Sequence, residues 1–253
     1  MAEPGSPAWE RQRTSFGDEA ALYERVRPSY PEAAVDWLLP AGARRVVDLA
    51  AGTGKLTRLL VERGLDVVAV EPSAGMRGEF ARVLPGVPVL DGTAETLPLT
   101  DGSVDAVLVA QAWHWVDPER ASREVARVLV PGGRLGLVWN ERDPSAAWVS
   151  ELERIVDEPG VGRGPASMPE PEVRAPFGSL ETGWFGWSTR LSPAEVVDLV
   201  ASRSWAITME PGKREAMFAQ LRHLLSTHPD TAGRDEVLLP YVARCYRTAT
   251  PSA

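Results

Sequence analysis

The tract Asp48-Leu49-Ala50-Ala51-Gly52-Thr53-Gly54 sets an acid near the end of an apolar run. A small-residue turn follows, and a helical pattern opens at Lys55. Seventeen residues past Gly54, the run Val67-Val68-Ala69-Val70 ends in a second acid, Glu71. An apolar run that delivers a carboxylate into a glycine turn is the pattern of a parallel strand feeding a nucleotide site. Glycines such as Gly52 and Gly54 let backbone approach a ligand where a Cβ would collide. An acid at the Glu71 position is placed to hold a ribose diol through two charge-assisted hydrogen bonds. An ordinary strand–helix turn without a ligand is the bland alternative, and the pairing of two acids argues against it.

Three nucleotide readings compete for this loop. A phosphate-cradling P-loop requires a small hydroxyl residue after Gly54-Lys55 and a glycine five positions before Gly54. Leu56 and Leu49 stand there, so that reading fails. A dinucleotide fingerprint over Gly52-Thr53-Gly54-Lys55-Leu56-Thr57 places Thr57 where a third small residue is needed for close helix–strand packing. The third reading is S-adenosylmethionine, which carries no phosphate but has a cationic sulfonium and an ammonium group. Asp48 favours such a cation, whereas a pyrophosphate would be repelled.

Further residues with chemical potential cluster beyond the fourth and fifth strand-like runs. Gln111-Ala112-Trp113-His114-Trp115 follows the fourth. His114 has an imidazole whose ordinary pKa of about 6.5 suits a general base at neutral pH. Contact with a ligand, helix capping and packing beneath Trp115 are its other readings. Trp113 and Trp115 offer π faces to a cationic ligand, with core packing an equal alternative for one of them. Trp139-Asn140-Glu141-Arg142 emerges from the fifth run, and Arg203 stands at a predicted helix end. Arg142 and Arg203, with Asn140, are candidate substrate contacts, because guanidinium grips a carboxylate with two parallel hydrogen bonds. Tyr23 and Arg27 share one face of an N-terminal helix at i and i+4, placed to close over the cofactor, with Arg27 a further candidate carboxylate grip.

These residues need a scaffold of alternating elements. Strand-like runs fall at 45–49, 66–70, 87–90, 104–110 and 134–140, with helical patterns at 55–63, 73–82 and 118–130, the last stopped by Pro131-Gly132-Gly133. This rhythm predicts parallel strands, right-handed crossovers and ligands at the strand C-terminal ends. Residues 16–27 and Pro31 to Leu39 read as helices ahead of the core, and Ala146–Val156 as a helix after it. Residues 157–176, rich in Pro and Gly, read as a loop. Phe177–Arg190 has strand character. Ser192 caps a helix with Glu195 completing a capping box. Arg214–Ser226 reads as helix and Glu236–Arg247 as a returning strand.

The bulk numbers narrow the class. The chain has 253 residues, a hydrophobic content of 44%, a charged content of 25% and a net charge of −8. These values fit an α/β globular protein, and the acidic balance disfavours nucleic acid and anionic membrane as partners. One cysteine, Cys245, leaves no internal disulfide and no cysteine-based zinc cluster, so no metal is expected. The first residues lack an apolar secretion core and no run approaches a membrane span, which points to the cytoplasm.

With these segments in hand, the chain resembles class I S-adenosylmethionine-dependent methyltransferases, most closely the branch that includes trans-aconitate methyltransferases. The resemblance rests on Asp48–Gly54, Val70-Glu71-Pro72, Gly92-Thr93-Ala94-Glu95-Thr96-Leu97-Pro98, Asp105-Ala106-Val107, Gln111–Trp115 and Arg127–Gly133. It covers residues 16–142 well and weakens beyond. It implies a Rossmann-like seven-stranded sheet in the order 3-2-1-4-5-7-6, strand 7 antiparallel, with helical cap elements. One methyltransferase domain would span 1–253: an N-terminal helical cover 1–43, a cofactor core 44–142, variable substrate elements 143–234 and a returning strand 235–249.

The resemblance also implies roles. Asp48, Ala50, Gly52 and Gly54 would surround the methionine part of the donor, and Glu71, next to Pro72, would hold both ribose hydroxyls. Thr93, Ala94 and Glu95 would face the adenine, with Gln111 near the donor. Ala50 departs from the usual first glycine, and Thr93 stands where many relatives carry an acid. The implied reaction is in-line methyl transfer from S-adenosylmethionine, leaving S-adenosylhomocysteine, to an oxygen of a small-molecule substrate. Nitrogen or carbon methylation, carboxyl methylation of a peptide, and non-catalytic S-adenosylmethionine binding are the alternatives. A nicotinamide-dependent oxidoreductase is a third class. No oligomeric state is implied.

Overall fold

The computed structural model describes residues 20–157 and 170–252. The helix expected from residue 16 and the loop expected over 157–176 therefore lie partly outside the described residues. In chain order the elements are α1 (Ala20–Val26), α2 (Glu32–Leu38), β1 (Arg45–Leu49), α3 (Lys55–Glu62), β2 (Asp66–Val70), α4 (Ala74–Val83), β3 (Val89–Leu90) and β4 (Val104–Ala110). After a 3₁₀ turn at Trp113–Trp115 come α5 (Pro118–Val128), β5 (Leu129–Arg142), α6 (Ala147–Asp157), β6 (Glu181–Leu191), α7 (Pro193–Ala201), α8 (Ser204–Ile207), α9 (Pro211–Thr227) and β7 (Val237–Ala249).

The seven strands form one sheet in the order β3-β2-β1-β4-β5-β7-β6, as expected. β1 pairs in parallel with β2 and β4, β2 with β3, and β4 with β5. The Thr250 amide donates to Gly133 O at 2.9 Å and the Asp143 amide to Pro240 O at 3.0 Å, a descending register that sets β7 antiparallel to β5. After its first residue β2 reads as an unbroken apolar run, and β1 is interrupted only by Asp48, because all but their first residues are buried.

Local signals set the helix boundaries. Asp117 caps α5 by accepting from the Glu119 and Arg120 amides, with Pro118 at the first position. Ser192 and Glu195 form the expected capping box on α7. α5 ends at Val128, before the expected 130, and β5 starts at Leu129. Pro131 biases Val130 toward extended backbone, and the register between β4 and β5 shifts between Val104 and Ala106 to absorb the tract.

Two compact units emerge. The described residues within Ser29–Asn140, Glu170–Phe185 and Ala243–Ala253 make a sheet unit, and those within Met1–Pro28, Glu141–Pro169 and Gly186–Val242 make an α-rich unit. The sheet unit buries Val46, Val47, Val107, Leu108, Leu135 and Leu137. The α-rich unit has its own cluster, including Trp148, Leu152, Leu199, Leu221 and Tyr241. Among the described residues no helix is long and apolar enough to cross a membrane.

Candidate active site

In the sheet unit the parallel register aligns Leu49 with Val70, so Asp48 and Glu71 fall at neighbouring strand tips. Asp48 is 1% exposed. Its Oδ2 accepts the Thr57 hydroxyl at 2.5 Å, while its buried Oδ1 has no hydrogen-bond partner. Burial pushes the Asp48 carboxyl up to about 7, with the Thr57 bonds opposing the shift and Glu71 adding to it. A buried acceptor atom left over in this way fits a cationic or N–H-bearing ligand group, which would restore both charge balance and the missing bond.

Glu71, 6% exposed, is no solvated surface acid. Its Oε2 accepts the Gly52 amide at 2.9 Å and its Oε1 the Ser73 amide at 2.8 Å. The carboxylate thus ties the glycine loop to the turn after β2. Each oxygen keeps a further lone pair, enough for two hydroxyls. Burial raises its pKa, and the two amides and Arg77 pull the other way. Arg77 braces the same turn by donating to the carbonyls of Glu71 and exposed Pro72, both at 2.8 Å, and to both Asp91 carboxylate oxygens.

The loop between the acids turns through left-handed backbone. Ala50 has φ 57°, Gly52 56° and Gly54 91°. That explains why glycine suits the first position, where Ala50 carries a conformational penalty of about 1 kcal/mol. Gly54 has a packing task besides. A Cβ there would lie 2.6 Å from Leu84 Cδ1 and 2.9 Å from Phe80 Cε2, so its bare backbone lets the start of α3 meet α4.

Thr93 exchanges backbone bonds with Thr96 in an isolated bridge, and Ala94 is buried between them in sequence. The Glu95 carboxylate accepts the Asp117 amide at 2.9 Å, anchoring the start of α5. Gln111 sits directly after β4 at φ 62° and donates its amide to Val138 O at 2.8 Å. Left-handed backbone at a non-glycine beyond a strand tip is strain of the kind found at ligand sites.

The tryptophan–histidine turn divides its tasks. Trp113 is 3% exposed, its indole N–H donating to Glu172 O at 2.9 Å, which makes it a core anchor. Half-buried Trp115 lies against the His114 ring, centroids 4.8 Å apart. Burial lowers the His114 pKa to about 4, and its Nδ1 accepts from Trp139 Nε1 at 3.3 Å. An imidazole held neutral this way is a poor proton acceptor at pH 7. Asn140 is buried and donates to Ser29 O at 2.8 Å, so its amide clamps the segment ahead of α2.

The remaining predicted residues belong to the α-rich unit. Arg27 donates to Ser202 Oγ at 2.9 Å and to Ser202 O at 2.8 Å, closing the end of α7, and lies 4.8 Å over the Tyr23 ring. Arg142 is paired through Nε with Glu153 in a buried ion pair. Arg203 follows the α7 cap, its buried Nε without a hydrogen-bond partner. Burial, then Arg27 and Arg142, lower its pKa to about 9.

Sequence reasoning missed Thr57, Glu153 and Tyr241. In the sequence Thr57 reads only as an obstacle to a dinucleotide fingerprint. Its nine-residue spacing from Asp48, inside the first turn of α3, is the signal that points to it. Glu153 and Tyr241 have no local motif.

The comparisons bear on this geometry. A methyltransferase-domain family model matches residues 47–137, the span holding both strand-tip acids. An uncharacterized methyltransferase of Mycobacterium tuberculosis is 54% identical over 234 residues, covering 92% of this chain and 94% of its own. A demethylmenaquinone methyltransferase of Beutenbergia cavernae is 42% identical over 104 residues, 41% of this chain and 43% of that protein. A solved structure from Anaeromyxobacter dehalogenans, described as a type II methyltransferase, superposes with a TM-score of 0.61 at 25% identity, over 89% of this chain and 97% of that one. A sheet of this order, a glycine loop laced to paired strand-tip acids and relatives matching almost end to end converge on one conclusion: the chain belongs to the class I S-adenosylmethionine-dependent methyltransferases.

Proposed function

We propose that the protein methylates an oxygen, carboxylate or hydroxyl, of a small metabolite, with S-adenosylmethionine bound at the strand tips of the sheet unit. The observation that carries the reading is the orphaned, buried Oδ1 of Asp48 beside a glycine loop laced to Glu71. Asp48 and the loop from Ala50 to Gly54 would hold the methionine end, Glu71 the ribose, and the Thr93–Glu95 turn the adenine. When bound, the donor supplies a methyl group already activated on a sulfonium sulfur.

The chain's own work is then to bind, orient and exclude water, which contributes up to about 7–11 kcal/mol in favourable cases. A carboxylate acceptor is ionised at neutral pH and needs no base. His114, neutral with Nδ1 engaged, fits the role of hydrogen-bond donor to a ligand. The motif resemblance to the trans-aconitate branch supports an acidic acceptor, in one methyltransferase domain working in the cytoplasm.

Calorimetric titration with S-adenosylhomocysteine tests the donor site: saturable binding in the wild type and loss of about tenfold or more in Glu71→Ala are expected. Transfer of a labelled methyl group into a metabolite extract, with the product resolved by ester lability to mild base, tests the acceptor atom. Binding without any labelled product would favour a non-catalytic donor-binding protein.

A further inference from the structure

The α-rich unit concentrates positive charge where little solvent reaches. Arg142 ends β5, Glu153 lies in α6, Arg203 stands between α7 and α8, Tyr241 belongs to β7 and Arg27 follows α1. Arg27, Arg142, Tyr241 and Glu153 all act electrostatically on Arg203. Among the described residues that act on this spot, three guanidiniums thus share one buried carboxylate, two positive charges in excess. Arg142 and Glu153 are 5% and 8% exposed and bound to each other. Arg27 is fixed on Ser202.

Arg203 Nε and the Tyr241 hydroxyl are both buried donors with no hydrogen-bond partner, and the buried Arg142 Nη1 and Glu153 Oε2 atoms make no hydrogen bond either. Tyr241 is 1% exposed, its ring stacked on Trp187 with centroids 5.4 Å apart. Buried charge gathered without balance costs stability, and buried donors left unsatisfied cost more. An anion taking up both donors would relieve both penalties.

The surroundings narrow the anion. Tyr241 belongs to an apolar cluster that also contains Trp148, with Trp187, Trp205 and Phe218 packed against it. A monoanionic carboxylate on a carbon body loses less hydration in such a place than a phosphate or sulfate dianion. A guanidinium also matches a carboxylate in its plane.

We propose that Arg203 and Tyr241 form the grip of a site on the α-rich unit for the carboxylate of a small organic acid, with Arg142 set beside them by Glu153. The site stands on the α-rich unit by itself, and anion binding there does not depend on the methyltransferase reading.

The test uses the full chain at fixed ionic strength, with phenylacetate, succinate, inorganic phosphate and sulfate as probes in calorimetry and thermal melts. Saturable binding of at least one organic acid is expected, with a raised Tm and a preference over phosphate and sulfate. Arg203→Met and Tyr241→Phe should each weaken that acid by about tenfold or more. Without acid, Arg203→Met should melt at or above the wild-type temperature, because it relieves like-charge crowding. An arginine with a merely structural task would lower the Tm on removal. If Arg203→Met does not fold, Tyr241→Phe decides, since it keeps the Trp187 stack. Absence of saturable acid binding in the wild type, tighter binding of phosphate or sulfate, or undiminished acid affinity in the variants would overturn the proposal. S-adenosylhomocysteine titrated in parallel separates the two failures: donor binding without acid binding sinks only this site, and acid binding without donor binding sinks only the methyltransferase reading.

Discussion

The indole Nε1 of Trp139 donates to Nδ1 of His114 at 3.3 Å, and this bond selects the tautomer of the ring. With Nδ1 accepting, the neutral imidazole carries its proton on Nε2. The free face of His114 is therefore a donor. A general base is worth about 10²–10⁴ in rate, so the expected outcome for His114→Gln is a smaller loss, within about tenfold in kcat/KM. The wild-type pH–rate profile should show no ascending limb near pH 6.5. A loss of a thousandfold with such a limb would restore the base.

Asp48 and His114 should oppose each other in the pH dependence of stability. The folded pKa of Asp48 is raised to about 7. As pH climbs from about 4 to 7 the unfolded state ionises first, the native state holds the extra proton, and stability falls. The folded pKa of His114 is lowered to about 4. Over about pH 4 to 6.5 the unfolded state holds that extra proton, so stability rises with pH. The His114 slope opposes those of Asp48 and of Glu71, whose carboxyl is also raised by burial. Relative to the wild type, Asp48→Asn should shift the dependence toward stability rising with pH across that window, and His114→Gln the reverse. Urea midpoints at pH 4.5, 5.5 and 6.5 check both signs.

Donor binding should release a proton at Asp48. A cation placed near Oδ1 favours the ionised carboxylate and draws its pKa down from about 7. Calorimetry of S-adenosylmethionine at pH 6.5 in buffers of different ionisation enthalpy should report proton release of a substantial fraction of one equivalent. In Asp48→Asn the release should vanish.

The loop glycine and its alanine neighbour should respond in opposite directions. Gly54→Ala drives a Cβ to 2.6 Å from Leu84 Cδ1 at φ 91°, a clash and strain costing about 1–3 kcal/mol. Ala50→Gly relieves a left-handed alanine and should stabilise by about 1 kcal/mol. Chemical denaturation measures both. Trimming Leu84 to Ala in the Gly54→Ala background should recover part of the loss if the contact, more than the dihedral, is at fault.

Much of the core was legible because its signals are local. Apolar runs, broken inside β1 by Asp48 and inside β4 by Asp105, marked β1, β2 and β4; an acid marked the tips of β1 and β2, and the Ser192–Glu195 capping box marked the start of α7. The sequence signal for β5 covers only 134–140 because the Pro131-Gly132-Gly133 tract looks like a stop, whereas pairing with β4 carries the strand through it. Spacing likewise brought Asp48 and Glu71 together, since parallel neighbours end at one edge.

Sequence alone determined the sheet, its order through the family resemblance, the loop and the two acids, because periodicity and turn chemistry act over a few residues. Tertiary structure decided what each polar group is free to do. Only folding shows that Glu71 is laced to Gly52, that Glu95 holds α5, that Asn140 clamps Ser29, and that Glu153 engages Arg142 while Arg203 and Tyr241 keep unsatisfied donors. Tyr241 lies 38 residues beyond Arg203, and no local pattern links them. Burial and partners set a group's charge, and both are properties of the packed chain.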